Sequence, residues 1–320
     1  MTIYIKSISI KGVKTNKALG GHEMIGDTVI IDEPRILVYL LKPIKKQTKI
    51  DAEAKEIYRE ILGRLDKIQV GAVLIKNADV HAINFSNHFR QYDIINTNIN
   101  LNEVRIDSLN NEDTSRILFC RNAVFTISQF SSFNNNRDEM FIKDVRFSGK
   151  ERLITFSKFS LKRFDDKISS GVNFIEAEKM LITGINTYEV VKNKNILIDS
   201  ILCNNILFYR PPSLAPNAKP KPKNKNEAKD TTGFRASYSL QLNNLYFPDI
   251  TIIENKAAVI NQNYILGKFS IKVKSVEADR ILDIQTDPIE HTKEFDLYCN
   301  HISAVSDDKL YRYSLQNIGF

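Results

Sequence analysis

One outline recurs in three segments of this chain, and the recurrence limits the folds open to it more than any other feature. In residues 27–41, 72–85 and 199–209 an apolar run is followed by two or three polar or small residues and then by a second apolar run. Pro34 stands in the polar part of the first segment. Because proline has no N–H to give to a ladder, Pro34 is expected at an edge, a bulge or a crossing between two strands. The recurrence predicts a repetitive β framework in which one strand ends and the next begins at 32–34.

Apolar and polar residues alternate along much of the chain. This period of two is typical of a strand with one buried and one solvated face. The phase of the alternation often flips midway through a segment, which predicts bulges or strands that bend from one wall of a sheet to another. The chain is therefore predicted to be mainly β, with an extended and largely antiparallel sheet. The clearest apolar faces carry Ile95, Thr97, Ile99 and Leu101 in residues 93–102, Tyr238, Leu240 and Leu242 in 237–243, and Phe269, Ile271 and Val273 in 268–274.

One segment departs from this period. In residues 51–67, Ile57, Ile61 and Leu65 recur at helical spacing, and charged residues take the opposite side. The pattern predicts one amphipathic helix near residues 51–67, with Asp51 as its N-cap. We expect this helix to lie across an end or a face of the sheet; the alternative is a helix that binds a membrane surface or a partner.

Residues 211–233 interrupt the β pattern. Five prolines and five lysines, with hardly any large apolar side chain, cannot form a core, so the segment is predicted to be a flexible insertion. Strand patterns of the same kind lie on both sides of it. We therefore interpret 1–210 as one β segment that includes the helix, and 234–320 as the continuation of the same sheet.

The net charge of +7 and a pI near 9.1 invite a nucleic-acid or anionic-membrane partner. The lysines, however, stand singly along the strand patterns, and the dense cluster of lysines falls in the predicted insertion. The sequence has no RNP-type aromatic motif, zinc-finger spacing or helix-turn-helix pattern. A solvated basic surface is the favoured interpretation, and no nucleic-acid partner is expected.

Three cysteines, Cys120, Cys203 and Cys299, lie far apart within apolar, strand-like runs. Their number is odd, so at least one of them has no partner within the chain. The sequence predicts buried free thiols, which behave as small apolar side chains.

No motif in the sequence indicates catalysis. His81 and His88 lie seven residues apart, which is no metal-ligand spacing, and there is no P-loop, G-x-G-x-x-G, G-x-S-x-G or C-x-x-C. The acidic pairs at 165–166 and 307–308 are interpreted as turn formers. The chain is therefore predicted not to be an enzyme, and neither a cofactor nor a metal is predicted.

The strands with one apolar face allow two architectures. In a closed sandwich or barrel these faces form the core. In a long sheet curled into an open groove they form a dry lining, and such a lining binds lipid chains without any particular residue type.

The order of these features resembles the AsmA-like bacterial envelope proteins, which belong to the repeating-β-groove lipid-transfer group. The resemblance is carried by the strand pattern from Ile8 through Val29 to Pro34, by the predicted helix, and by LDKIQVGAVLIKNADVHAI in residues 65–83. It implies a taco-like sheet with an apolar trough that handles phospholipid between membranes, in the periplasm or cell envelope, with a part in outer-membrane biogenesis. By this resemblance the trough would be lined by Ile99, Leu101, Tyr238, Leu240, Leu242, Phe269, Ile271 and Val273.

One departure from the family concerns the membrane. The N-terminal sequence MTIYIKSISIKGVK is not a signal peptide, and the longest apolar run, 36–41, is far shorter than a membrane span. We expect either a soluble piece of a longer envelope protein, associated with the membrane through an anchor outside this sequence, or a cytoplasmic protein. The alternative function is a structural or interaction β protein with a closed apolar core, such as an envelope scaffold; nucleic-acid binding is a third.

Overall fold

The chain is mainly β, as the sequence predicts. The computed structural model describes residues 1–40, 62–63, 65–84, 90–107, 116, 119–133, 138–163, 172–210, 238–255, 263–278, 292–305 and 312–319. These residues form two compact units: unit 1 comprises Met1–Asn134, Phe141–Ser157 and Thr183–Asn193, and unit 2 comprises Asn135–Met140, Lys158–Ile182 and Lys194–Phe320.

Unit 1 is a mixed, mostly antiparallel sheet. Its strands run in the order β1-β4-β5-β6-β7-β8, with β2 paired to β3, β3 paired to β5 and β9 paired to β8. Both β3 and β4 run parallel to β5. Its elements are β1 (Thr2–Tyr4), β2 (Ser7–Lys11), α1 (Thr15–Gly20), β3 (Glu23–Asp32), β4 (Arg35–Leu40), β5 (Lys67–Asn84), β6 (Arg90–Asp107), β7 (Asn122–Phe133), β8 (Glu139–Ser148), β9 (Leu153–Phe156) and a π-helical turn (Glu189–Asn193).

Unit 2 continues the same kind of architecture in the order β10-β11-β12-β13-β14-β15-β16. Here β12 and β13 run parallel, whereas β13 to β16 are joined by antiparallel pairs. Its strands are β10 (Lys158–Arg163), β11 (Val172–Thr183), β12 (Asn195–Arg210), β13 (Ser239–Asn255), β14 (Asn263–Ala278), β15 (Thr292–Val305) and β16 (Arg312–Gly319).

Two predicted segments fall largely outside the described residues. Most of the helix predicted for 51–67 does so, although Leu62 is helical and Lys67 already begins β5. Residues 211–237 lie outside as well, but the strands that flank them are adjacent and parallel. The predicted insertion therefore connects two neighbouring strands of unit 2.

Each unit has its own buried core. In unit 1, Val70, Val104 and Phe147 belong to one cluster, and the rings of Phe125 and Phe147 stack with centroids 4.4 Å apart. In unit 2, Ile206 and Ile250 are directly paired across β12 and β13 and belong to a second cluster. The three cysteines are buried thiols that form no disulfide, which confirms the prediction for them.

The break expected at Pro34 is present, because β3 ends at Asp32 and β4 begins at Arg35. The polar residues between them form a bulge and not a crossing of the chain. The ladder to β5 continues past it, since the Glu33 N–H donates to the Lys76 carbonyl at 2.8 Å and the Asp79 N–H donates to the Pro34 carbonyl at 2.9 Å. Strands β3 and β4 are thus two halves of one bent strand.

Among the described residues, no helix has both the length and the apolar character needed to cross a membrane.

Candidate functional site

Three residues with a left-handed backbone lie side by side across unit 1. Glu33, Asn77 and Asn96 have φ values of 46°, 52° and 51°. They belong to neighbouring strands, since Glu33 joins β3 to β4 and the other two lie within β5 and β6. The Asn77 N–H donates to Asn98 Oδ1 at 3.2 Å, and the Asn96 N–H donates to Asp79 Oδ1 at 2.9 Å. These three residues, the bulge row, add one residue to each strand. Glu33 and Asn77 do so at one level of the sheet, and Asn96 does so on the other side of the pair Ala78–Thr97.

The bulge row changes the phase of the alternation in all three strands together. Without a bulge, residues two apart share a face of a sheet. Across the bulge row the residues that share the apolar face are three apart and then two apart. They are Ile31, Pro34 and Ile36 in the first strand, Ile75, Ala78 and Val80 in the second, and Ile94, Thr97 and Ile99 in the third.

These residues line an apolar channel that runs across the strands and is open on one side. One ridge is the register row Ile31, Ile75, Ile99 and Phe125, and the other is Ile3, Ile36, Val80 and Ile94. Small side chains form the floor between the ridges, where Pro34, Ala78 and Thr97 are all buried. Ile5 and Ile127 complete the lining. The five strand positions from β1 to β7 give the channel a length of about 19 Å at about 4.8 Å per strand.

The channel suits a single elongated apolar ligand. Its volume is about 480 Å³, which is room for about sixteen groups of the size of a water molecule at about 30 Å³ each. A methylene group is of similar size. The wall exposes only apolar atoms, and no ionisable side chain lines it. The channel can therefore bind a chain by the hydrophobic effect, but it offers no group for acid, base or metal chemistry.

One polar atom lies beneath this wall without a partner. Thr97 is 7% exposed, and its Oγ1 has no hydrogen-bond partner. The other such atom in the described part of the chain, Asn100 Oδ1, belongs to a residue that lines a smaller depression of about 340 Å³.

The residues predicted to line a trough are distributed over both units. Ile99 lines the channel, and Leu101 packs against the core cluster of unit 1. Within unit 2, Leu242 and Val273 are buried in one cluster, Phe269 packs against the Ile206 cluster, and Ile271 contacts both clusters. Tyr238 and Leu240 are half-buried near the start of β13.

Most of the channel lining was not among the predicted residues. The prediction for β6 put Ile95 on the face of Thr97 and Ile99, but the bulge at Asn96 brings Ile94 there instead. The sequence did contain a usable signal, because the apolar residues on either side of the polar part recur at the same spacing in the first two repeated segments. The residues missed were Ile3, Ile5, Ile31, Pro34, Ile36, Ile75, Ala78, Val80, Ile94, Thr97, Phe125 and Ile127.

The third repeated segment has the same geometry in unit 2. Asn205 has φ 53° and its Nδ2 donates to Glu178 Oε2 at 2.7 Å. Cys203, Ile206 and Phe208 stand at the spacing found in unit 1, and all three belong to or pack against one cluster. Here the apolar residues pack closely: Cys203 is 1% exposed and Ile206 is 6% exposed. The repeated sequence thus specifies a bulged strand, and whether a channel or a packed core results depends on the neighbours.

His81 belongs to a polar cluster. Its Nδ1 lies 2.6 Å from Asp93 Oδ1, and the Arg90 Nε donates to Asp93 Oδ2 at 2.9 Å. Asp93 is 3% exposed, so its carboxylate is buried between two basic groups. His88 lies outside the described residues, and within the described ones no set of three or more metal-ligating side chains comes together.

Comparison of the chain with family models, curated proteins and solved structures finds no match in any of the three.

Proposed function

We propose that this protein is a non-enzymatic lipid-binding β protein that holds one acyl chain in the apolar channel of unit 1. The observation that carries the proposal is the continuous channel itself, with two ridges of large aliphatic side chains and a floor of small ones. Burial of apolar surface stabilises such a complex by about 25 cal/mol per Å² without any directional contact. The volume fits one chain of about sixteen carbon atoms, by the same estimate of about 30 Å³ per group.

A wider role follows if the ligand is a phospholipid. The head group would then remain in solvent, because the channel wall has no polar atom to receive it. A protein that shields one acyl chain while its head group stays wet is suited to carrying lipid between membranes. Transport of phospholipid in the bacterial cell envelope is the role that the resemblance to AsmA-like proteins implies.

The direct test fills the floor of the channel. Ala78→Phe places a ring between the ridges, and we expect it to weaken the uptake of a fluorescent sixteen-carbon fatty acid by at least about tenfold, which is about 1.4 kcal/mol. The matched control is Thr126→Phe, which adds a ring at an exposed position of β7 outside the channel lining. The control should bind the probe as the wild type does.

Native mass spectrometry of the gently purified wild type is the second measurement, and it should find co-purified lipid. A delipidated wild type that takes up no probe, in a state with unchanged circular dichroism, would contradict the proposal. That outcome favours the alternative of a structural β protein with a closed apolar core. The closely packed apolar clusters of unit 2 are the observation that supports this alternative.

A further inference from the structure

Thr97 is the one polar residue in the lining of the channel. It occupies the floor of β6, directly opposite Ala78 on one side and Ile127 on the other. Its carbon atoms face the channel, because Oγ1 is buried and the wall exposes only apolar atoms.

A buried hydroxyl without a partner destabilises a fold, since it has lost its hydrogen bonds to water. Valine has nearly the same shape and carries no such cost. The unpaired Oγ1 is therefore a group that a ligand can satisfy.

A change of side-chain rotamer brings this group to the channel. The hydroxyl and the methyl of threonine are both attached to Cβ and are of similar size, so rotation about χ1 to another staggered position can place the hydroxyl where the methyl was, while the methyl moves to the former position of the Cβ hydrogen. The hydroxyl would then face the ligand. An apolar chain gives no reason for this rotation, whereas an oxygen on the chain does.

We propose that Thr97 makes the channel selective for acyl chains that carry one hydroxyl group near an end of the chain. The inference rests on the proposed function. A threonine hydroxyl can donate a hydrogen bond and accept one, so it can pair with a ligand hydroxyl as the donor or as the acceptor. Thr97 lies one strand spacing, about 5 Å, from the β7 end of the channel and three spacings, about 14 Å, from the β1 end. The matching oxygen is thus close to one end of a chain that fills the channel.

The experiment compares three fatty acids of equal length as competitors of a fluorescent probe: hexadecanoic acid, 3-hydroxyhexadecanoic acid and 8-hydroxyhexadecanoic acid. For the wild type we expect the 3-hydroxy acid to bind about tenfold more tightly than the unsubstituted acid, as one satisfied hydrogen bond in a dry site provides. The 8-hydroxy acid should bind more weakly than both, because its hydroxyl is buried opposite apolar side chains.

The matched variants are Thr97→Val and Thr97→Ser. The valine variant should bind hexadecanoic acid at least as well as the wild type does and lose the preference for the 3-hydroxy acid. The serine variant should keep the preference. The valine variant should also raise the melting temperature of the ligand-free protein, and a lower melting temperature would mean that the hydroxyl has a structural role and would overturn the proposal.

Two other outcomes oppose the proposal and are distinguishable from each other. Equal preference in the wild type and in Thr97→Val, with both proteins binding, would contradict the role of Thr97 and leave the lipid-binding function standing. No binding of any acid to the wild type would remove the proposed function and the selectivity together.

Discussion

At the scale of single residues, burial changes the acidity of two side chains of β12 in unit 2. Burial raises the pKa of the Cys203 thiol from its ordinary value of 9.0 to about 11. Burial and, next, the hydrogen bond from its hydroxyl to Glu176 Oε2, 3.0 Å away, raise the pKa of Tyr209 from 10.0 to about 12. Both groups hold their protons more tightly in the folded state than in the unfolded state.

These shifts predict a loss of stability in alkaline solution. The folded state is disfavoured wherever the unfolded chain has already lost the proton, so the free energy of unfolding should fall as the pH rises from about 9 to about 11 through Cys203 and from about 10 to about 12 through Tyr209. Urea unfolding at a series of pH values measures this fall. Cys203→Ala should be less stable at neutral pH but should lose stability less steeply above about pH 9. Parallel curves for the two proteins would show that the thiol contributes nothing to the slope.

Single residues also mark the limit of what the alternation in the sequence predicts. The period of two puts Thr97 and Ile99 on one face of β6, and in the structure both contribute to the channel lining. It fails at Ile95, because a bulge at Asn96 changes the phase and the sequence alone does not say on which side of an asparagine a strand adds its extra residue. The partners of the floor residues, Ala78 and Thr97, come from the pairing of β5 with β6 and are not visible in either segment alone.

At the scale of elements, the bulge row shapes the channel by bringing small side chains to its floor. Substitutions at Asn77 test whether the left-handed backbone of this row contributes to stability. A left-handed backbone is tolerated by asparagine and glycine and is strained for a β-branched residue. We therefore expect Asn77→Val to lower the free energy of unfolding by about 1–2 kcal/mol. Asn77→Gly should be close to neutral. Chemical denaturation of the three proteins measures both differences.

The control for this prediction is the neighbouring residue. Lys76 is exposed and has no left-handed backbone, so Lys76→Val should change the free energy of unfolding by less than about 0.5 kcal/mol. If Asn77→Val and Lys76→Val change the free energy of unfolding equally, the left-handed conformation of Asn77 does not affect stability, and the prediction is wrong.

The repeated segments were the most informative elements of the sequence, and their meaning became clear only from their backbone. Glu33, Asn77 and Asn205 stand at equivalent places in the three segments, and all three have positive φ. The recurrence correctly predicted a strand break at Pro34. It did not indicate that the chain continues in the same direction after the break, because a bulge and a crossing share the same polar residues.

At the scale of the whole molecule, the parallel pair of β12 and β13 sets a minimum length for the connection between these two strands. The register of β12 with β13 pairs Asn195 with Ser239 and Arg210 with Glu254. Arg210 and the start of β13 therefore lie at opposite ends of this strand pair, about 50 Å apart at about 3.3 Å per residue. An extended chain needs at least about fourteen residues for that distance.

This requirement predicts how the insertion responds to engineering. Replacing residues 211–237 by a Gly/Ser sequence of equal length should leave the circular dichroism and the melting temperature nearly unchanged, because the composition of the connection is not needed for the pairing. Shortening the connection to about eight residues should prevent the parallel pairing and destabilise unit 2. A shortened protein with wild-type stability would contradict the observed register.

Architecture was more predictable than function. The alternation of apolar and polar residues predicted a mainly β chain, and the apolar residues around the cysteines predicted buried thiols. Both predictions were confirmed, because both depend on local sequence. Whether residues line one trough depends on which strands are neighbours, and local sequence does not show this. The eight residues predicted to line a trough, from Ile99 to Val273, are distributed between the two units. The envelope location and the transport of phospholipid remain predictions from the resemblance.

The bulge row also bears on which insertions and deletions this sequence can accept. Removing Asn77 alone would restore a simple period of two in β5, and Ile75, Ala78 and Val80 would still share the channel face, because Asn77 is the residue that the bulge adds. The change would fall on the pairing with the neighbouring strand, since Glu33 would lose its counterpart in β5. A deletion in a regular part of β5, such as Leu74, would instead move every residue on one side of it to the opposite face. Changes of length in this sheet should therefore be accepted at the bulge row and rejected between the bulges.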